Sequence, residues 1–174
     1  MNYLKIINYE TNNGDGFRIS LFVSGCGKIP KCKNCQNKNG WDFNMGYKYT
    51  KDTEDYIISL LKQPLITGFS LIGGEPMDNI CDDLINLLKR IKTELPNINI
   101  YCWSGYTYEY ILKNKINSKN ILKYIDMLRD GEFISSKKNL NQFLQGSDNQ
   151  RYVNVQESLR QNKTILFDWR NGKY

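Results

Sequence analysis

Three cysteines stand close together near the N-terminus, Cys26, Cys32 and Cys35, in the spacing C-x5-C-x2-C. The next cysteine is Cys81. Thiolates ligate zinc and iron–sulfur clusters, and a closed structural zinc site normally takes four protein ligands. Three thiolates can instead hold three irons of a cubane cluster and leave the fourth iron open to another molecule. The chain contains no histidine. That excludes Ser-His-Asp and Cys-His nucleophiles and any His-ligated zinc or haem. Chemistry must come from cysteines, carboxylates or a cofactor. Two further runs stand out, Gly73-Gly74-Glu75-Pro76 and Ser104-Gly105. Glycines let the backbone approach a ligand closely.

The elements that must position these runs follow from hydrophobic periodicity. Residues 17–24 are rich in apolar and β-branched side chains and read as a strand, with the cysteine loop directly after it. Residues 40–49 read as irregular, and 52–62 as a helix stopped by Pro64. Residues 68–72 form a short buried strand ending in the Gly-Gly-Glu-Pro run. Ile80, Leu84, Leu87, Leu88, Ile91 and Leu95 recur at three- and four-residue steps, the clearest helical pattern in the chain. A strand over 97–103 ends in Ser104-Gly105, and helical stretches follow over 107–115 and 119–124. Residues 126–129 read as a short strand, 146–149 as a turn, and 152–155 and 164–167 as strands.

Strands alternating with helices predict an α/β fold with a mostly parallel sheet. A full eight-fold barrel typically needs about 250 residues. The 174 residues fit one domain over 1–174, a compact partial (open) β/α barrel. Cys26, the Gly-Gly-Glu run and Ser104 then each follow a different strand end, and such ends share the ligand-binding face of parallel α/β proteins.

Hydrophobic residues make up 40% and charged residues 24% of the chain, values of a soluble globular protein. No apolar run approaches the roughly 20 residues of a membrane span, and the N-terminus is too polar for a signal peptide. A cytoplasmic location is expected, where thiols stay reduced and clustered cysteines favour a metal site over disulfides. The 24 basic and 18 acidic residues give +6. Scattered lysines on a solvated face account for this, so neither a nucleic-acid nor a membrane partner is expected. The densest basic cluster is Lys28, Lys31, Lys33 and Lys38, around the cysteines. Charge there can stabilise a reduced cluster or attract an acidic electron donor.

A cysteine triplet after the first strand, followed by Gly-Gly-Glu-Pro after the second, resembles the radical S-adenosylmethionine (SAM) superfamily. Within it, the chain resembles the family of small activating proteins of anaerobic ribonucleoside-triphosphate reductases. The matching segments are 21–26 with 35–37 and Trp41, 73–77, 101–106, 146–151 and 125–133. The resemblance implies one 4Fe-4S cluster on Cys26, Cys32 and Cys35, with SAM chelating the open iron. Gly73, Gly74 and Glu75 would receive the SAM ammonium group through strand-end carbonyls and charge-assisted hydrogen bonds. Ser104 would reach its carboxylate or ribose. The implied enzyme is a radical SAM oxidoreductase: it cleaves SAM reductively and uses the 5′-deoxyadenosyl radical to generate a glycyl radical on the large reductase subunit. A flavodoxin- or ferredoxin-like donor would supply the electron. The resemblance assigns no protein side chain as catalytic. The superfamily's usual spacing is C-x3-C-x2-C, so this loop carries two extra residues. Asn34 also stands where many members place an aromatic residue. Loop-closure cost changes little on such an insertion.

Each site also has a plainer reading. The cysteines suit a zinc knuckle, the Gly-Gly-Glu-Pro run an ordinary turn, and Ser104 a turn residue. Asp126 and Asp130 suit SAM contacts or turn starts; Arg151 suits the SAM carboxylate, the reductase or neither. Cys81 and Cys102 read as small buried hydrophobes. The tyrosines near Tyr101, Tyr106, Tyr108 and Tyr110 suit docking or packing. Two alternative functions follow: a small radical SAM enzyme acting on a small molecule, and a non-enzymatic zinc or iron–sulfur nucleic-acid-binding module.

Overall fold

The computed structural model describes residues 1–139 and 146–167. The single domain expected over 1–174 therefore includes two segments, 140–145 and 168–174, that lie outside the described residues. Seven strands form one sheet: β1 (Asn2–Glu10), β2 (Phe17–Val23), β3 (Tyr47–Lys48), β4 (Ile66–Gly73), β5 (Asn99–Trp103), β6 (Met127–Asp130) and β7 (Arg151–Asn154). Their order is β3-β1-β2-β4-β5-β6-β7. The four middle strands run parallel, whereas β3-β1, β1-β2 and β6-β7 are antiparallel. The α/β class holds, but the expectation of a mostly parallel sheet applies to the middle alone. The sheet is open, and its ladder does not close into a barrel.

The parallel pairs need crossovers, and helices supply them: α1 (Lys51–Leu61) before β4, α2 (Asp82–Glu94) before β5, then α3 (Tyr108–Asn114) and α4 (Ser118–Leu122) before β6. A last helix, α5 (Val155–Gln161), follows β7. Helix α1 begins at Thr50, whose side chain accepts from the Thr53 backbone in a capping box. Helix α2 carries the periodic stripe, and Leu84, Leu87, Leu88 and Ile91 are fully buried. Each such side chain contributes about 1.5–3 kcal/mol of transfer free energy. The stripe packs with Ile57 and Ile58 of α1 and with one face of the sheet, including Ile19, Leu21, Phe69, Leu71, Ile100 and Cys102. The other face carries a smaller cluster of Tyr101, Met127 and Tyr152, edged by Trp103 and Phe167.

Three elements differ from the sequence reading. Strand β1 has no counterpart in the strands expected from sequence; most of its residues are half-buried whichever face they point to, so no clean alternation marks it. Strand β3 lies in the stretch read as irregular. The strand expected over 164–167 is a single bridge between Val153 and Leu166, and α5 takes up residues before it. The 146–149 turn is present, with Gln150 N donating to Ser147 O at 3.1 Å. No helix among the described residues is long and apolar enough to cross a membrane.

Candidate metal and cofactor centre

The parallel order of β2, β4, β5 and β6 brings their C-terminal ends to one edge. The cysteine loop follows β2, Gly74-Glu75 follows β4 and Ser104-Gly105 follows β5. Backbone hydrogen bonds join the first two. Gly74 N donates to Val23 O at 2.8 Å and Glu75 N to Gly25 O at 2.7 Å. Gly25 N in turn donates to Gly40 O at 2.9 Å, and Cys26 N to Trp41 O at 3.2 Å. A side chain at position 74 could not fit: its Cβ would lie 2.2 Å from Gly25 O and 2.4 Å from Gly40 O. Gly73 has φ +119°, a conformation that favours glycine.

Glu75 is 2% exposed. Its Oε1 accepts from Ser104 Oγ at 2.8 Å and Met77 N at 3.1 Å, and its Oε2 from Gly105 N at 2.7 Å. Burial nevertheless pushes its carboxyl up to about 7, against those three donors and with Asp78 adding to the rise. The Ser104 hydroxyl also accepts from Tyr106 N at 3.0 Å, so it helps position Glu75 and the turn after β5.

Two neighbours missed in the sequence tie the cysteine loop down. Asp78 Oδ2 accepts from Gly27 N at 2.6 Å. Asn79 Nδ2 donates to Gly25 O at 3.1 Å and Glu75 O at 3.0 Å. Their only signal was an acid and an amide directly after the Gly-Gly-Glu-Pro-Met run. On the far side, Lys28 pairs with Glu132 at 3.0 Å and Asn34 Nδ2 donates to Ser135 Oγ at 3.3 Å. A cleft opens there between Lys33-Asn34 and residues 132–136.

Cys26, Cys32 and Cys35 are all half-buried with free thiols. Burial pushes the Cys32 thiol up to about 11; Glu132, Cys35 and Cys26 add to this and Lys28 opposes it. Burial also raises Cys26, opposed by the Lys28 backbone N–H and Lys31. Cys32 thus lies within electrostatic reach of both other thiols. Among the described residues no three His, Cys, Asp or Glu side chains converge as they would around one ion. A cubane separates its thiolate ligands further, because each binds a different iron. Three thiols without histidine, on a loop that glycines allow to pack directly on the Gly-Gly-Glu segment, fit such a cluster.

The other candidates fall elsewhere. Asp126 sits at the opposite end of β6, accepting from Lys92 Nζ and Ile100 N, both at 2.6 Å. Asp130 is fully buried and accepts from Tyr108 N at 2.7 Å and Arg151 Nε at 2.9 Å. Arg151 also binds Glu109, so its partners are protein carboxylates. Cys102 is fully buried, and Cys81 is half-buried at the start of α2.

Comparison with known proteins agrees with this geometry. The model of the 4Fe-4S single cluster domain matches residues 12–153. The anaerobic ribonucleoside-triphosphate reductase-activating protein of Vibrio cholerae is 39% identical over 153 residues, covering 86% of this chain and 96% of its own length. The proteins of the same name from Escherichia coli K12 and phage T4 are 36% and 35% identical, covering 86% and 87% of this chain and 96% and 92% of theirs. The chain belongs to the family of anaerobic ribonucleoside-triphosphate reductase-activating proteins, with its cysteine loop inside the 4Fe-4S single cluster domain.

Proposed function

We propose that this protein is the radical SAM activase of an anaerobic ribonucleoside-triphosphate reductase, acting as one cytoplasmic domain on an open partial barrel. In this reading Cys26, Cys32 and Cys35 hold the cluster, and Gly73, Gly74, Glu75 and Ser104 form the SAM side of the site. The cluster and SAM supply, when bound, one-electron reductive cleavage and a deoxyadenosyl radical that takes hydrogen from a glycine Cα of the reductase. The residues themselves bind and orient. Glu75 is fixed by three donors, and a cationic ligand beside it would return it to the ionised form. The lysines of the cysteine loop offer positive charge to an acidic flavodoxin- or ferredoxin-like donor.

The observation that carries the reading is the direct bonding of the cysteine loop to the Gly-Gly-Glu segment, Glu75 N to Gly25 O at 2.7 Å. That bond supports the reading because it joins the loop bearing the three thiols to the segment proposed to receive SAM. The relatives' names favour neither a small-molecule enzyme nor a nucleic-acid module. The test is anaerobic reconstitution with iron and sulfide, followed by reductant, SAM and the large reductase subunit. A glycyl-radical signal by electron paramagnetic resonance, with 5′-deoxyadenosine in the same tube, is the expected result. SAM cleavage without a radical on the subunit would overturn the choice of partner. Intact SAM would overturn the chemistry.

A further inference from the structure

Arg129 is the described arginine whose charge the fold leaves unanswered. Arg90, Arg151 and Arg160 each bind carboxylates. Arg18 is buried but donates to four neighbouring residues. Arg129 donates from Nη2 to Gln150 Oε1, while its Nε is buried with no hydrogen-bond partner. Burial lowers its guanidinium to about 10, opposed only by Tyr152, and no carboxylate contributes. An uncompensated buried cation is destabilising, so a fold that keeps one gains from it elsewhere.

Its position says where. Arg129 is the third residue of β6, opposite Trp103 on β5 and Tyr152 on β7. Strand alternation sets it on the same face as Met127, the face bearing Tyr101 and Trp103 rather than the helices. Its carbonyl accepts from Ser104 N at 2.9 Å. One strand residue thus links this guanidinium to the Ser104–Glu75 pair. The residue is half-buried and lies toward the C-terminal end of β6, on the same sheet edge as the end of β2.

We infer that Arg129 is a carboxylate-binding residue on the helix-free face, engaging a molecule that docks over the strand ends. This rests on the activase reading, in which two such molecules carry carboxylates: SAM, through its methionyl group, and the large reductase subunit, through an acidic side chain or chain end. A guanidinium fork matches a carboxylate in shape and charge. Among the described residues no acid pairs with this guanidinium, as expected of a group held for a ligand that an internal partner would compete with.

The test uses the cluster-reconstituted protein and its Arg129→Gln and Arg129→Lys variants. SAM affinity is measured by titration without the subunit, and subunit affinity without SAM. The expected result is a loss of about tenfold to a hundredfold in one of the two for Arg129→Gln, partly restored in Arg129→Lys. Loss of SAM affinity assigns the carboxylate to the cofactor; decarboxylated SAM should then bind wild type and Arg129→Gln with much closer affinities than SAM does. Loss of subunit affinity assigns it to the partner. The cluster-free Arg129→Gln protein should melt no lower than wild type, because a buried charge has been removed. Both affinities unchanged, or equal losses in the two variants, would overturn the inference. Failure of the wild-type protein to cleave SAM would instead strike the activase reading.

Discussion

At the two ends of the parallel strands sit two buried ionisable side chains, Arg18 at the N-terminal end and Glu75 at the C-terminal end. Arg18 is fully buried and closed on every side. Its Nε donates to Ser70 Oγ at 2.7 Å, Nη1 to Asn99 Oδ1 at 2.6 Å and Nη2 to Phe69 O at 2.8 Å, and it lies 4.0 Å over the Tyr101 ring. Its acid, Asp15, is 3.9 Å away. Glycine makes room for it: a Cβ on Gly68 would lie 2.0 Å from Nη1. Glu75 is almost as buried and also held by neutral groups, yet its donors come from the turns after β4 and β5 rather than from strand interiors. The Arg18 end spends its polar atoms on itself and fixes the sheet. The Glu75 end uses them to join the cysteine loop to the turns after β4 and β5, and burial holds its carboxyl above the usual range. The same physical device, a buried ionisable group satisfied by dipoles, gives a plug at one end and the candidate site at the other.

The largest effect is expected at the cysteines. Alanine at Cys26, Cys32 or Cys35 should abolish cluster incorporation, read as iron and sulfide content, while circular dichroism and the urea midpoint stay near wild type. Next comes Arg18→Met, which strands the acceptors of Ser70, Asn99 and Phe69. It should cost about 3 kcal/mol or more by urea unfolding. Gly68→Ala should act in the same direction by displacing the guanidinium. Neither should change the number of irons bound per folded chain.

Glu75 sharpens the contrast through pH. Its carboxyl lies at about 7 in the fold, against 4.5 when unperturbed. Between those values the native state holds a proton that the unfolded chain has released. The contribution is therefore full below pH 4.5 and is lost as pH rises through 7. The cluster-free protein should lose on the order of 3 kcal/mol across that window, at about 1.4 kcal/mol per pH unit. Glu75→Gln should flatten this segment of the stability profile; an unchanged slope would show that Glu75 is ionised throughout. The smallest effect is expected for Asp78→Asn, which weakens the hold on Gly27 N. It should cost about 1 kcal/mol and raise amide exchange in the cysteine loop more than at Arg18.

Much of the candidate site's layout was legible in the chain because it is local. The cysteine spacing, the Gly-Gly-Glu run and the stripe of α2 each fit within a short window, and each falls where the sequence placed it. Strand β1 escaped because an outer strand half-buried on both faces has no alternation to read. Helix α5 escaped because it is 7 residues long, although Asn154 caps it by accepting from Glu157 N. The outer antiparallel pairs escaped because strand order is not written in any one segment.

The sequence by itself determined which groups could do chemistry: three thiols, a glycine-lined strand end and no histidine. It also determined the α/β alternation that carries them. Only the tertiary structure decided which polar groups answer one another. Arg18 meets Asn99 across 81 positions, Gly27 meets Asp78 across 51 and Ser104 meets Glu75 across 29. Such pairs form only when packing brings distant strands into register, since burial makes their hydrogen bonds obligatory and the sheet supplies the distance. Arg129, the described arginine left without an acid, is a fact of that same packing.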